Sequence, residues 1–226
     1  MRFSSTVLLG KQCFLIIVTP CVIRTKPLQD HEESSLSGAY SGSGGEENCT
    51  GISVTHLLQL FIDNEWVDAE SGKTFETFSP HDGKVIAKVA EGDKADIEKA
   101  VAAARRAFHR KSEWRGLTAS ARGRLLHRFA DLIERDAQYL ATLESTNNGA
   151  VSTMTPILMS GAANYARYTA GLADKIHGDT IPSDFEGFTY TLRQPVGVCG
   201  LILPWNAPVL MFVHKVVIFQ PFSLYC

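Results

Sequence analysis

"GVCGLILPWNAPVLMFVHK", Gly197 to Lys215, is the stretch on which the reading of this chain turns. A nearly unbroken apolar run, Val196 to Leu203, climbs to Pro204-Trp205-Asn206, and a second apolar run follows Pro208. The first run has strand length and no alternation, which predicts a strand buried on both faces of a parallel sheet. The second, with proline in its first turn, predicts a helix. Ligands of open α/β sheets bind beyond the carboxyl ends of the strands, where Trp205 and Asn206 fall. Two roles are open to Asn206. Its side-chain oxygen can cap a helix starting at Ala207. Capping leaves the amide NH2 free to donate elsewhere, so the roles are compatible.

Upstream, the text from Leu57 onward reads as alternating strands and helices. "LFIDNEWVD" sets apolar residues on both sides of Asp63-Asn64, a pair that tolerates positive φ, and predicts a hairpin. "KTFETFSPHDGKVIAKVAEGD" continues with short strands around a Pro80–Gly83 turn. A helix follows in "DKADIEKAVAAARRAF", with Asp93 as N-cap, Asp96 three residues on, and Ile97, Val101, Ala104 and Phe108 on one face. A second helix starts after Thr118, turns Leu125, Phe129, Leu132 and Ile133 inward, breaks near Asp136 and stops at Gly149. A third, Thr155 to Ala173, aligns Leu158, Ala162, Tyr165, Tyr168 and Leu172, and its Gly161 predicts close packing on another helix. Phe188, Tyr190 and Leu192 alternate with Thr189, Thr191 and Arg193 as in a half-exposed strand.

Residues 1–55 differ from this body. "MRFSSTVLLGKQCFLIIVTPCVIRTKP" is basic and carries no acid before Asp30, and its apolar stretch Cys13–Val18 is too short to span a bilayer. A targeting peptide and an unordered extension both fit. "QDHEESSLSGAYSGSGGEENCTG" has too little apolar surface to repay ordering and reads as a linker. Its glycines lack the Gly-Lys of a phosphate loop. Across the 226 residues, 45% hydrophobic and 20% charged, a globular core is affordable. A net charge of -2 gives no electrostatic basis for nucleic acid, and Arg105-Arg106 reads as a solvated helix face. Nothing marks a membrane protein. The five cysteines, Cys13, Cys21, Cys49, Cys199 and Cys226, show no metal-ligand spacing, so no metal is expected.

Six phrases in order now carry more than any one of them: "FIDNEWVDAESGKTFETFSP", "VAEGDKADIEKAVAAARRAF", "ARGRLLHRFADLIERD", "YTAGLADKIHGDTIP", "QPVGVCGLILPWNAP" and "LMFVHKV". Together, from Leu57 to Val216, they resemble the N-terminal part of the NAD(P)-dependent aldehyde dehydrogenase family, nearest to its cytosolic and mitochondrial branch with the retinal dehydrogenases. The resemblance implies an α/β fold: a Rossmann-like cofactor domain with a protruding β arm for oligomerisation, here incomplete. Residues 56–226 would form this partial domain, 177–196 the start of the arm and 217–226 a tail outside the family pattern. It further implies that Leu203, Pro204, Trp205 and Asn206 line the nicotinamide end of an NAD or NADP site. Asn206 matches the asparagine whose amide holds the oxyanion after a cysteine thiolate attacks the aldehyde.

Departures from the family limit what these residues do alone. "VIFQPFSLYC" replaces the expected glycine turn and lysine-bearing strand, and the nucleophilic cysteine, the general-base glutamate and the Gly-rich cofactor turn have no counterpart. "ESTNNGA" departs from the usual acidic-and-lysine end of its helix, and Lys215 is a helix residue, not the missing lysine. The expectation is an aldehyde-oxidising enzyme by descent, inactive as this chain alone, and a homo-oligomer of cytoplasm or mitochondrion. A truncated isoform and an imperfect gene reading both remain open. Two other functions stay in view: a non-catalytic subunit binding full-length relatives, and a secreted or anchored binding module.

Overall fold

The computed structural model describes residues 58–222, together with the strand backbones at 6–9 and 13–18. Its strands are β1 (Thr6–Leu9), β2 (Cys13–Val18), β3 (Leu60–Ile62), β4 (Glu65–Val67), β5 (Thr74–Phe78), β6 (Val85–Ala90), β7 (Thr180–Ile181), β8 (Thr189–Tyr190) and β9 (Cys199–Pro204). Its helices are α1 (Lys94–Phe108), α2 (Glu113–Gly116), α3 (Ala119–Arg135), α4 (Ala137–Asn148), α5 (Thr155–Leu172) and α6 (Pro208–Phe222).

Local chemistry explains most of these elements. Asp63 and Asn64 take φ of 53° and 67°, the left-handed pair that a two-residue hairpin needs, and join β3 to β4. Arg106 on α1 reaches back to Asp63 at 2.7 Å, so this arginine braces the hairpin turn. The Asp93 carboxylate accepts from Ala95 N–H and Asp96 accepts from Asp93 N–H, completing the capping box of α1. Asp96 also accepts from Glu70 N–H, tying α1 to the loop after β4. Thr118 caps α3, Asp136 separates α3 from α4, and Gly149 at φ 77° ends α4 in the left-handed conformation.

Two main cores result. One joins β3 and β6 to α1 through Leu60, Ile62, Ala90, Ala100 and Ala104, with Ile97 and Val101 half-buried against them. The other packs α3, α5 and α6 through Phe129, Ile133, Ala162, Ala166, Val213 and Val217. The inward faces differ in detail from the expected ones. On α3 the buried residues are Gly123, Leu126, Phe129, Ala130 and Ile133, while Leu125 and Leu132 are half-buried. On α5 the small residues Ala162, Ala163, Ala166 and Ala170 face inward and Tyr168 is 66% exposed. Small side chains let the two backbones approach, and the large ones move to the rim. The close approach falls at Gly123 on α3, where a Cβ would sit 2.9 Å from the Ala170 carbonyl oxygen. Gly161, expected to serve this purpose, is exposed with open space around it. Outside this contact, Arg167 of α5 holds Asp131 and Glu134 of α3.

The strand after the arm departs furthest from expectation. The five-stranded sheet has the order β4-β3-β1-β2-β9, with every pair antiparallel. β9 is therefore not a strand of a parallel sheet among the described residues. It pairs antiparallel with β2, from Cys13↔Pro204 to Val18↔Cys199. Nor is it buried on both faces. Leu201 and Leu203 pack against Phe212 and Val216 of α6, whereas Ile202 is 62% exposed. An apolar run signals tolerance of burial on two faces; whether two layers cover it depends on what packs there. Two strands of the sheet come from within residues 1–55, a contribution the basic N-terminal composition did not signal. The linker sequence lies outside the described residues. β7 and β8 pair as a small ribbon, giving residues 177–196 a local partner strand. No described helix is long and apolar enough to cross a membrane.

The glycine contrast is directly testable. Gly123→Val should destabilise the fold by about 1–3 kcal/mol through overpacking against the α5 backbone. Gly161→Ala should stabilise it by up to about 1 kcal/mol from helix propensity alone. Urea midpoints of both variants check the assignment; equal effects would place the close contact elsewhere.

Candidate functional site

The carboxyl end of β9 leads through Trp205, Asn206 and Ala207 into α6. Leu203 is buried, Pro204 half-buried, and Trp205 is 54% exposed beside an exposed Asn206. The strand thus hands over from core to surface within four residues. Among the described residues the Asn206 side chain has no hydrogen-bond partner, so it does not cap α6.

The cap comes from elsewhere. Helix α6 opens with Ala207-Pro208: alanine offers no side-chain acceptor, and proline has no N–H. The first N–H requiring a partner is that of Val209, and Glu144 on α4 accepts it through Oε2 at 3.1 Å. A carboxylate at a helix N-terminus also meets the positive end of the helix dipole. Glu144 is 1% exposed, and its Oε1 has no partner among the described residues. Burial pushes its carboxyl above the usual range, against a smaller opposing effect from the Val209 N–H.

One turn further along α4, Asn148 faces the same segment. Its Nδ2 donates to the backbone oxygen of Asn206 at 2.9 Å, and its Oδ1 accepts from Ala150 N–H at 2.7 Å. The second bond fixes which end of the amide points toward Asn206. Ser145 closes the same helix end by donating to the Ala150 carbonyl at 2.7 Å. Gly149 is required here twice over, by its φ and because a Cβ would lie 2.9 Å from Pro80 Cγ. On the far side, Lys215 of α6 donates to the Ile202 carbonyl. The Trp205–Asn206 turn is thereby held between α4, β9 and α6.

Sequence reasoning identified Asn206 but not Glu144 or Asn148. "ESTNNGA" carried a signal: an acid lies on the face of α4 that also holds Leu140 and Ala141, with an amide four residues later. An acid among apolar neighbours predicts a buried partner.

The chemistry available is that of a donor, not a nucleophile. Cys199, at the start of β9, is half-buried, burial raises its thiol, and Sγ lies 3.8 Å from the Gly197 carbonyl oxygen. A thiol so placed is no activated thiolate. Among the described residues no group of three His, Cys, Asp or Glu side chains could hold a metal. Pro204 and Trp205 present apolar surface beside the exposed Asn206 amide; no glycine-rich phosphate cradle accompanies them among the described residues.

Glu144 sets a pH dependence. Its folded-state carboxyl binds a proton more tightly than in the unfolded chain, so its contribution to stability is present at low pH and is lost as pH rises through the raised value. Glu144→Gln, which keeps an acceptor for Val209 N–H, should flatten this limb, which lies above the ordinary glutamate range. Parallel urea-midpoint profiles for the two proteins would show Glu144 to be irrelevant.

Residues 66–219 match the model of the aldehyde dehydrogenase family. The chain is 55% identical over 159 residues to aldehyde dehydrogenase 1A1 of Mesocricetus auratus, a match covering 70% of this chain and 32% of that protein. Human mitochondrial aldehyde dehydrogenase is 55% identical over 158 residues, covering 70% and 31%. The chain thus spans about a third of the length of these curated relatives. Among solved structures, PnpE in complex with nicotinamide adenine dinucleotide superposes with a TM-score of 0.66 at 38% identity, covering 73% of this chain and 34% of that one. A variant of an aldehyde dehydrogenase from Bacillus cereus gives 0.68 at 35% identity, covering 74% and 34%. The α/β architecture described above is part of the fold of these proteins, and the chain belongs to the aldehyde dehydrogenase family.

Proposed function

We propose that this fold serves the oxidation of an aldehyde to a carboxylic acid with NAD or NADP, and that Asn206 is its oxyanion donor. The observation that carries the reading is the state of Asn206. Its backbone is fixed by Asn148, while its side-chain amide is exposed at the end of β9 and engaged with no described residue. A donor held in place before charge develops stabilises the transition state without reorganising. When a thiolate adds to an aldehyde carbon, the carbonyl oxygen gains negative charge, and the Asn206 NH2 donates to it. Loss of hydride from that adduct would leave a thioester, for which a bound NAD or NADP would supply the hydride acceptor, and water would then release the acid and return the thiolate. Leu203, Pro204 and Trp205 would supply the apolar contact that orients the nicotinamide end of that cofactor. The attacking thiolate and the water-activating carboxylate have no counterpart among residues 58–222.

Oligomerisation through the arm belongs to the same reading. Phe185, Phe188, Tyr190 and Leu192 are each at least 59% exposed on the β7–β8 ribbon, more apolar surface than an isolated ribbon keeps in water without cause. This surface also suits the alternative of a non-catalytic subunit that binds full-length relatives. Cytosol and mitochondrion are the two compartments named among the relatives, and we place the protein in one of them.

The test is a graft of residues 58–216 into the matching segment of the hamster 1A1 relative, followed by cofactor reduction with a panel of aldehydes. Asn206→Ala in the graft should lower kcat by about 10²–10³-fold. Cofactor affinity should change far less. Turnover retained within a few-fold would sink the oxyanion role. The 226-residue chain alone should reduce no cofactor above background.

A further inference from the structure

We propose that Glu144 and Asn148 form a two-point clamp whose role is to position Asn206, an inference that rests on the oxyanion reading above. The two side chains project from successive turns of α4, four residues apart and so on one face. They grip the turn on both sides of Ala207. Asn148 holds the Asn206 carbonyl oxygen at 2.9 Å, and Glu144 holds Val209 N–H at 3.1 Å. Between those points, the Pro208 ring fixes its own φ, but neither Ala207 nor Pro208 offers a side-chain hydrogen bond that could anchor the turn to its surroundings.

A purely structural account does not explain the choice of groups. A helix N-terminus is most simply capped by its own preceding residue, and a Ser, Thr or Asp at position 207 would meet Val209 N–H without burying a glutamate from another helix. Here the acceptor is a nearly fully buried carboxylate with one oxygen unpartnered, an arrangement that costs stability on its own. The geometric return is rigidity from a neighbouring helix. Helix α4 is itself fixed by its packing on α5, and its C-terminal end is closed by the Ser145–Ala150 hydrogen bond. Asn206 therefore inherits its position from the scaffold, not from the strand-to-helix turn. Asn148 grips only the backbone oxygen of Asn206, and the side-chain amide, which has no partner among the described residues, is free to donate to a ligand.

The clamp can be tested in the 226-residue chain without turnover, using amide NMR and hydrogen exchange. Asn148→Asp keeps an oxygen for Ala150 N–H but loses the donor to Asn206. The amide signals of Trp205 and Asn206 should shift while that of Ala150 and those of α1 stay in place. Glu144→Leu should speed exchange at Val209 N–H by about tenfold or more. Glu144→Gln should restore slow exchange. Unmoved Trp205 and Asn206 signals in Asn148→Asp, or equal exchange at Val209 in all three Glu144 forms, would overturn the clamp. So would shifts spread evenly through α4 and α1, the mark of general destabilisation. The graft separates the two ideas. If Asn206→Ala leaves turnover intact while the amide signals move as expected, the oxyanion reading fails and the clamp stands as a geometric fact of the turn.

Discussion

One N–H group organises the functional end of this fold. Val209 is the first residue of α6 with an amide hydrogen to satisfy, and nothing in Ala207-Pro208 can satisfy it. The bond from Glu144 therefore makes α4 a condition for where α6 begins. Helix α6 in turn supplies Val213 and Val217 to the helical core and Phe212 and Val216 to the inner face of β9. A shift at its first turn would be felt in both. The buried carboxyl is a weak point in stability and a strong one in geometry. Breaking it leaves an unmet donor at the helix start, whereas keeping it allows one arrangement of three elements.

The sheet shows the same economy of means on its other face. β9 buries Leu201 and Leu203 on α6 but leaves Ile202 in solvent, while Trp205 stands exposed at its end. An apolar residue at an outward strand position is ordinary in isolation. Here it follows from a sequence able to line a two-sided core and covered by a helix on one side. Pairing with β2 satisfies one edge of β9 and leaves the other open among the described residues. The residues that make the strand legible as a buried one are also those that make its uncovered face apolar.

Much of the architecture could be read directly from local chemistry. The Asp63-Asn64 turn, the Asp93–Asp96 capping box, the Thr118 cap, the break at Asp136 and the stop at Gly149 each rest on interactions within a few residues. Such signals survive without knowledge of tertiary structure. Those that failed were long-range. Gly161 and Gly123 look alike in sequence, and only the path of α5 decides which one meets a neighbouring backbone. The direction and partner of β9 depend on a segment from the far end of the chain. Asn206 was visible because a strand–Pro–Trp–Asn–helix junction is local, but its supports lie 58 and 62 residues before it.

Those distant supports alter what Asn206 can do. Had it capped α6, its side-chain oxygen would have been committed to the helix, and the amide would have pointed where the cap geometry dictated. With Glu144 taking the cap and Asn148 taking the Asn206 backbone oxygen, both structural duties of the turn fall to α4. The Asn206 side chain is left with none. In a site that stabilises developing charge, a donor serves best when its backbone is fixed and its amide is uncommitted, because neither must rearrange as the charge appears. The division of labour between α4 and the turn produces that combination, and the unpartnered oxygen of Glu144 is the stability it gives up for it.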